Sequence, residues 1–161
     1  ILHEVSQMRA RLAAAKTAQG PWDAKTGPGR MLDIELLAQA GMLLADAQSQ
    51  SCEARQCANA GLAAGVATGW LRDADAQLLR QSYGLYWSVQ SAMRLIAGRS
   101  SGDATRGEGG AAFLLRSTGF DRISDLQQAL EEAYENCAAC IDRCLAAAQQ
   151  TEDEGHDSTA G

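Results

Sequence analysis

Aromatic residues are scarce in this 161-residue chain, at 5%, and prolines number only two. Sandwiches and barrels draw on aromatic and β-branched side chains, so this shortage, beside abundant alanine, points to helices. No apolar run approaches the ~20 residues that a membrane span requires, and no signal-peptide pattern opens the chain. Surplus positive charge is also missing. The net charge is −6, whereas phosphate recognition calls for a basic face. Neither a membrane nor a nucleic acid is an expected partner. The two histidines, His3 and His156, have no Ser, Cys or carboxylate partner in sequence, so a hydrolytic triad has no support.

The length suits one domain with a real core. Five cysteines make an odd count without the spacing of a secreted disulfide framework, which makes the cytoplasm the expected compartment. Charge is uneven: residues 1–30 carry five basic residues against two acidic ones, and residues 121–161 carry ten acids against Arg122 and Arg143. A chain that opens on Ile1, already in helical register, is expected to be a piece of a longer protein.

Hydrophobic periodicity predicts an all-α fold, a bundle of five to six helices whose long members run near-antiparallel. Residues 1–150 form the expected helical-bundle domain, and 151–161 an expected disordered acidic tail. A first helix over 1–18 places Ile1, Val5, Met8, Leu12 and Ala15 on one face. Gly20-Pro21 and Gly27-Pro28-Gly29 break the chain before a second helix over 31–47. That helix is apolar almost all round, the mark of a central element. A weaker Ala-rich helix is expected over 52–64, and a long one from Asp73 with Leu78, Ser82, Leu85, Val89, Ala92 and Ile96 in its seam. A Gly/Ser-rich loop over 98–110 and a short helix over 111–117 follow. The last helix is expected to begin at Ser124, with Gln127 completing a capping box. Leu126, Leu130, Ala133, Cys137, Cys140 and Cys144 form its seam, suited to bundle packing at roughly +20°.

Few residues look able to do chemistry. Cys137, Cys140 and Cys144 share one helical face and could ligate metal, yet they fall on the apolar seam, where free cysteine behaves as a small hydrophobe. Core packing is the expected role, and no metal ligand is assigned. Tyr83, Tyr86 and Trp87 are read likewise as packing residues. The stretch Lys25, Gly27, Gly29 and Arg30, leading into a helix N-terminus, has the ingredients of an anion-binding loop. It matches no phosphate fingerprint, Asp33 would compete for the dipole, and on spacing alone a structural loop is the expected reading. Glu35 and Gln39 lie one turn apart on the apolar second helix, with Asp33 on nearly the opposite side. A buried Glu35 needs a partner. It would pair with Arg9 or Arg11 or face a domain interface.

Met8-Arg9-x-Arg11, Trp22-Asp23-x-Lys25, Gly27-x-Gly29, Asp33-Ile34-Glu35-Leu36 and Gln39, in this order and spacing, resemble the helical segment that follows the nucleotidyltransferase domain in glutamine synthetase adenylyltransferases. Arg30 stands where that family usually has a second glycine, and Leu36 where it has phenylalanine. Beyond residue 47 the resemblance is one of layout. It implies a parent enzyme in nitrogen metabolism with two related halves, one attaching AMP to a tyrosine of glutamine synthetase and one removing it. ATP and Mg²⁺ are implied for the parent, with control by PII-type signal proteins and glutamine.

The segment looks like that of the adenylylating half. The family's catalytic carboxylates and Gly-Ser turn come from a sheet domain whose pattern these residues do not carry. The chain alone is therefore expected to lack a catalytic centre and a cofactor. Arg9, Arg11, Lys25, Asp33, Glu35 and Gln39 would lie at the contact with that absent domain or at a site mouth. The rivals are the helical segment of the related PII uridylyltransferase and a stand-alone protein-binding bundle.

Overall fold

The computed structural model describes residues 2–15, 17–45, 54–97 and 107–157. Six helices and no strand occur among them: α1 (Leu2–Ala15), α2 (Met31–Leu44), α3 (Ala54–Ala67), α4 (Asp73–Ala97), α5 (Glu108–Thr118) and α6 (Ile123–Asp157). The fold is all-α, as composition and periodicity predict. Among the described residues no helix is long and apolar enough to cross a membrane.

α2 is the central element. Ile34, Leu37, Ala38 and Ala40 are buried, and the helix packs chiefly on α3 while touching α1, α4 and α6. Its closeness to α3 depends on absent side chains. A Cβ on Gly61 would lie 2.5 Å from the Ala38 carbonyl carbon, so the two backbones meet directly. α4 and α6 supply much of the rest of the core, beside Leu62 of α3 and Leu114 of α5, but only part of each predicted seam is buried: Leu78, Leu85 and Ala133 are partly exposed, and Leu79, Tyr83, Tyr86 and Tyr134 face inward instead. Val89, Ala92 and Ile96 are buried on α4, and Leu126, Leu130, Cys137, Cys140 and Cys144 on α6.

Several element ends differ from the sequence reading. α3 continues to Ala67. Gly65 does not break it, because that position packs under Trp70 and Leu71. α5 begins at Glu108 and so takes in Gly109 and Gly110, while the rest of the expected loop, 98–106, lies outside the described residues, as do Ile1 and Cys52. Ser124 is inside α6 and forms no capping box. Its hydroxyl meets Asp125, and an Arg122–Asp125 ion pair of 2.9 Å spans the first turn.

α6 also runs on to Asp157, through residues that composition assigned to a disordered tail. Lengthening a helix that is already nucleated costs little, and Gln and Glu are good helix formers. Residues 158–161 lie outside the described residues.

α1 departs most from expectation. Among the described residues of its predicted apolar face only Val5 is buried, whereas Met8 is 52% and Leu12 41% exposed. Among the described helices it touches only α2 and α6, which leaves Met8 and Leu12 largely exposed.

Candidate functional site

The segment 17–30, between α1 and α2, is irregular but tightly bonded. Asp23 organises it: its carboxylate accepts from the backbone N–H groups of Gln19 (3.2 Å), Lys25 (3.1 Å) and Thr26 (3.1 Å), a turn-forming habit of aspartate. From α4 the Gln90 amide oxygen, oriented toward the loop, accepts from the Ala24 and Lys25 N–H groups.

Arg30, the departure from the family pattern, clamps this loop. Its guanidinium donates to the carbonyls of Gly20 (2.9 Å) and Asp23 and lies 4.0 Å over the Tyr134 ring of α6, a cation–π contact. The Tyr134 hydroxyl donates to the Pro21 carbonyl at 2.9 Å. Burial pushes this phenol up to about 12 against the opposing charge of Arg30, so it remains a donor at neutral pH.

These bonds bear on the anion-loop reading of Lys25, Gly27, Gly29 and Arg30. The N–H groups of Gly29, Arg30, Met31 and Leu32 have acceptors within the chain. Arg30 donates to Gly27, Met31 to Ala24, Leu32 to Lys25, and Gly29 to the Asp33 carboxylate at 2.7 Å. Lys25 is exposed at the rim. The helix N-terminus is therefore filled by its own loop and by Asp33, which uses the dipole as sequence reasoning said it would.

Asp33 is the centre of the site. Its side chain is only 5% exposed, and it receives a two-pronged bond from Arg9 of α1, Nε to Oδ1 at 2.6 Å and Nη2 to Oδ2 at 3.0 Å. This fork geometry is the strong form of an ion pair. Arg9 also bonds Asp142 of α6 through Nη1, so one guanidinium joins three elements. Burial disfavours the charge on Arg9, but the bonds to Asp33 and Asp142 outweigh it and hold its pKa above the ordinary value.

Beside this cluster a groove of about 520 Å³ opens between α1, the loop and α6, lined among others by Arg9, Leu12, Pro28, Leu32, Asp142 and Leu145. Exposed Leu12 thus forms part of a partly apolar cleft with a charged pair in its wall.

The predicted residues are brought together only in part. Arg9 and Asp33 meet, but Glu35 pairs with neither Arg9 nor Arg11: the Tyr83 hydroxyl of α4 donates to its Oε1 at 2.6 Å. Arg11 and Gln39 are exposed. Asp33 and Glu35 lie on different sides of α2, as their spacing predicts, and of the two readings of Glu35 the pairing with Arg9 or Arg11 is the one the contacts do not bear out. Sequence reasoning missed Asp142 and Tyr134, which lie in α6 more than a hundred residues from their partners. Tyr83 and Tyr86 are buried packing residues, and the Tyr86 hydroxyl lies 3.6 Å from the Cys137 sulfur. Cys137, Cys140 and Cys144 are buried free thiols, as their place on the seam predicts.

Comparison with known proteins fits this arrangement. The family model described as GlnD PII-uridylyltransferase matches residues 3–148. Curated relatives are bifunctional glutamine synthetase adenylyltransferase/adenylyl-removing enzymes of Rhodopseudomonas palustris. The protein of strain TIE-1 is 26% identical over 145 residues, 90% of this chain and 14% of the relative. That of strain HaA2 is 28% identical over 145 residues, 90% of this chain and 15% of the relative. The chain thus spans about one-seventh of the length of these relatives. No solved structure matches it. The matched stretch takes in α1, the clamped loop, α2 and most of α6, and on that evidence the chain belongs to the GlnD PII-uridylyltransferase family of helical domains and corresponds to a helical segment of glutamine synthetase adenylyltransferases.

Proposed function

We propose that this chain is the helical accessory domain of a cytoplasmic enzyme that transfers AMP from ATP to a tyrosine of glutamine synthetase. Its task is to dock on the nucleotidyltransferase domain that carries the metal-binding carboxylates and the Mg²⁺. The observation that carries this reading is the uncovered α1 face, with Met8 and Leu12 exposed beside the Arg9–Asp33–Asp142 cluster and its groove. An apolar strip rimmed by fixed charges is the makeup of a contact surface. The relatives' names supply glutamine synthetase as the substrate protein, and a PII-type signal protein is the proposed regulator.

Docking is testable with the separately produced nucleotidyltransferase domain of the parent enzyme. Leu12→Glu is expected to weaken its binding to this chain by about tenfold or more, the loss of roughly 1.4 kcal/mol at an apolar contact, with the helical circular dichroism unchanged. Unaltered binding by that folded variant, measured calorimetrically, would remove α1 from the interface.

The description of the matching family favours a second reading, in which the parent attaches UMP to a PII-type protein. Parallel assays of the parent with labelled ATP and glutamine synthetase, and with labelled UTP and a PII protein, separate the two by which protein becomes labelled.

A further inference from the structure

On the α4 side of α6, away from the groove, three ligating groups converge. Asp75 lies in the first turn of α4, and Cys140 and Cys144 lie one turn apart on α6. A carboxylate oxygen and the two sulfurs are all within 4.8 Å of one another. Tetrahedral zinc, with Zn–S of about 2.3 Å and Zn–O of about 2.0–2.2 Å, spaces its ligands roughly 3.5–3.8 Å apart. Side-chain motion of about an ångström therefore closes the set around one ion.

We propose that Asp75, Cys140 and Cys144 form a binding site for a borderline-soft divalent cation of the zinc class, with a fourth position for water. Two thiolates and one carboxylate select such an ion over Mg²⁺ or Ca²⁺, which take oxygen ligands. The site is therefore distinct in kind from the Mg²⁺ chemistry of the proposed parent.

The surroundings suit ligation. Arg72 donates to both Asp75 oxygens, at 2.7 and 3.0 Å, and Arg143 approaches Oδ1 at 3.5 Å. A carboxylate offers about four acceptor positions; the arginines take three, and the fourth accepts from the Cys140 thiol, whose proton a bound metal would displace. The two guanidiniums offset the negative charge of the ligand set and hold the carboxylate in place, as outer partners of metal ligands do. The Arg72 bond, working against burial, keeps the Asp75 carboxyl below the usual carboxylate range.

The two thiols are hydrogen-bonded to each other. Metal binding then forms two metal–sulfur bonds, and every proton still on the pair passes to the buffer, so affinity falls as pH is lowered. Both arginine side chains are largely exposed, which leaves a short route from solvent. Cys137, the third thiol of the sequence motif, faces the Tyr86 hydroxyl and lies outside the set. The carboxylate of Asp75 takes the place that spacing alone offered to Cys137.

Titration of the reduced chain with Co²⁺ reads the site directly. One equivalent is expected to produce thiolate-to-cobalt charge transfer and the visible bands of a tetrahedral ion, both removed by Zn²⁺. Asp75→Asn is expected to weaken Co²⁺ binding by at least about tenfold. The double replacement Cys140→Ser with Cys144→Ser is expected to abolish the charge-transfer band, and Cys137→Ser to keep it. Absence of that band in the folded wild-type chain overturns the proposal. So does a band that survives the double replacement, or one that Asp75→Asn leaves at full affinity. Should the double replacement not fold, Asp75→Asn, which leaves both thiols in the core, decides the question by the same titration.

Discussion

Gly29→Ala is expected to destabilise the chain by about 3 kcal/mol or more, as the sum of left-handed strain and overpacking. Gly29 has φ +69°, and a Cβ there would overlap the Tyr134 carbonyl oxygen and come within 2.7 Å of the Ala138 nitrogen. Both atoms belong to the backbone of α6, which cannot rotate aside as a side chain would. Relief would require the loop to lift from α6, and that would break the Gly29–Asp33 bond, the Arg30–Tyr134 contact and the Tyr134–Pro21 bond together.

Gly20 separates the two causes. Its φ is +89°, yet nothing lies within 4 Å of a Cβ placed there, so Gly20→Ala is expected to cost only the conformational share, about 1–2 kcal/mol. Urea unfolding of the two variants measures the difference. Equal costs would mean that the loop does not rest on α6 as described.

Asp33→Ala is the second large effect, expected at about 3–5 kcal/mol, the usual cost of breaking a buried pair by removing one partner. It strips Arg9 of its two-pronged acceptor and leaves the Gly29 N–H without one. The replacement of Asp142, whose side chain is 65% exposed, is expected to cost under about 1 kcal/mol, because a solvated partner contributes little. A double-mutant cycle between Arg9→Ala and Asp33→Ala should return a coupling of about 1–3 kcal/mol. If Asp33→Ala cost no more than Asp142→Ala, the cluster would be a surface feature and not the tie that seats α1.

The outcome at Asp33 and Glu35 shows where the sequence was legible. The apolar girth of Met31–Leu44 marks a central helix, and periodicity alone puts its two acids on different faces. Which face meets α1 depends on how the segment 17–30 turns. Its course rests on Asp23 gathering three amides and on Arg30 standing over Tyr134, contacts between residues up to about a hundred positions apart. No local pattern encodes that.

Arg30 illustrates the same limit. Against a glycine in the family pattern it reads as added charge for an anion, whereas in the fold its charge faces carbonyls and an aromatic ring. Asp75 passes in sequence as a first-turn acid suited to the helix dipole. Only the packing of α4 on α6 brings it to Cys140 and Cys144. The ends of α5 and α6 were missed for a different reason: composition weighs glycine and acidic residues one at a time, while helices extend cooperatively.

AMP incorporation into glutamine synthetase, with ATP and Mg²⁺ supplied, tests the central claim most directly. The account predicts no labelling of the substrate tyrosine by this chain alone, and labelling once the chain is joined to the nucleotidyltransferase domain of its parent. Labelling by the chain alone would contradict it, by placing a catalytic centre within these helices.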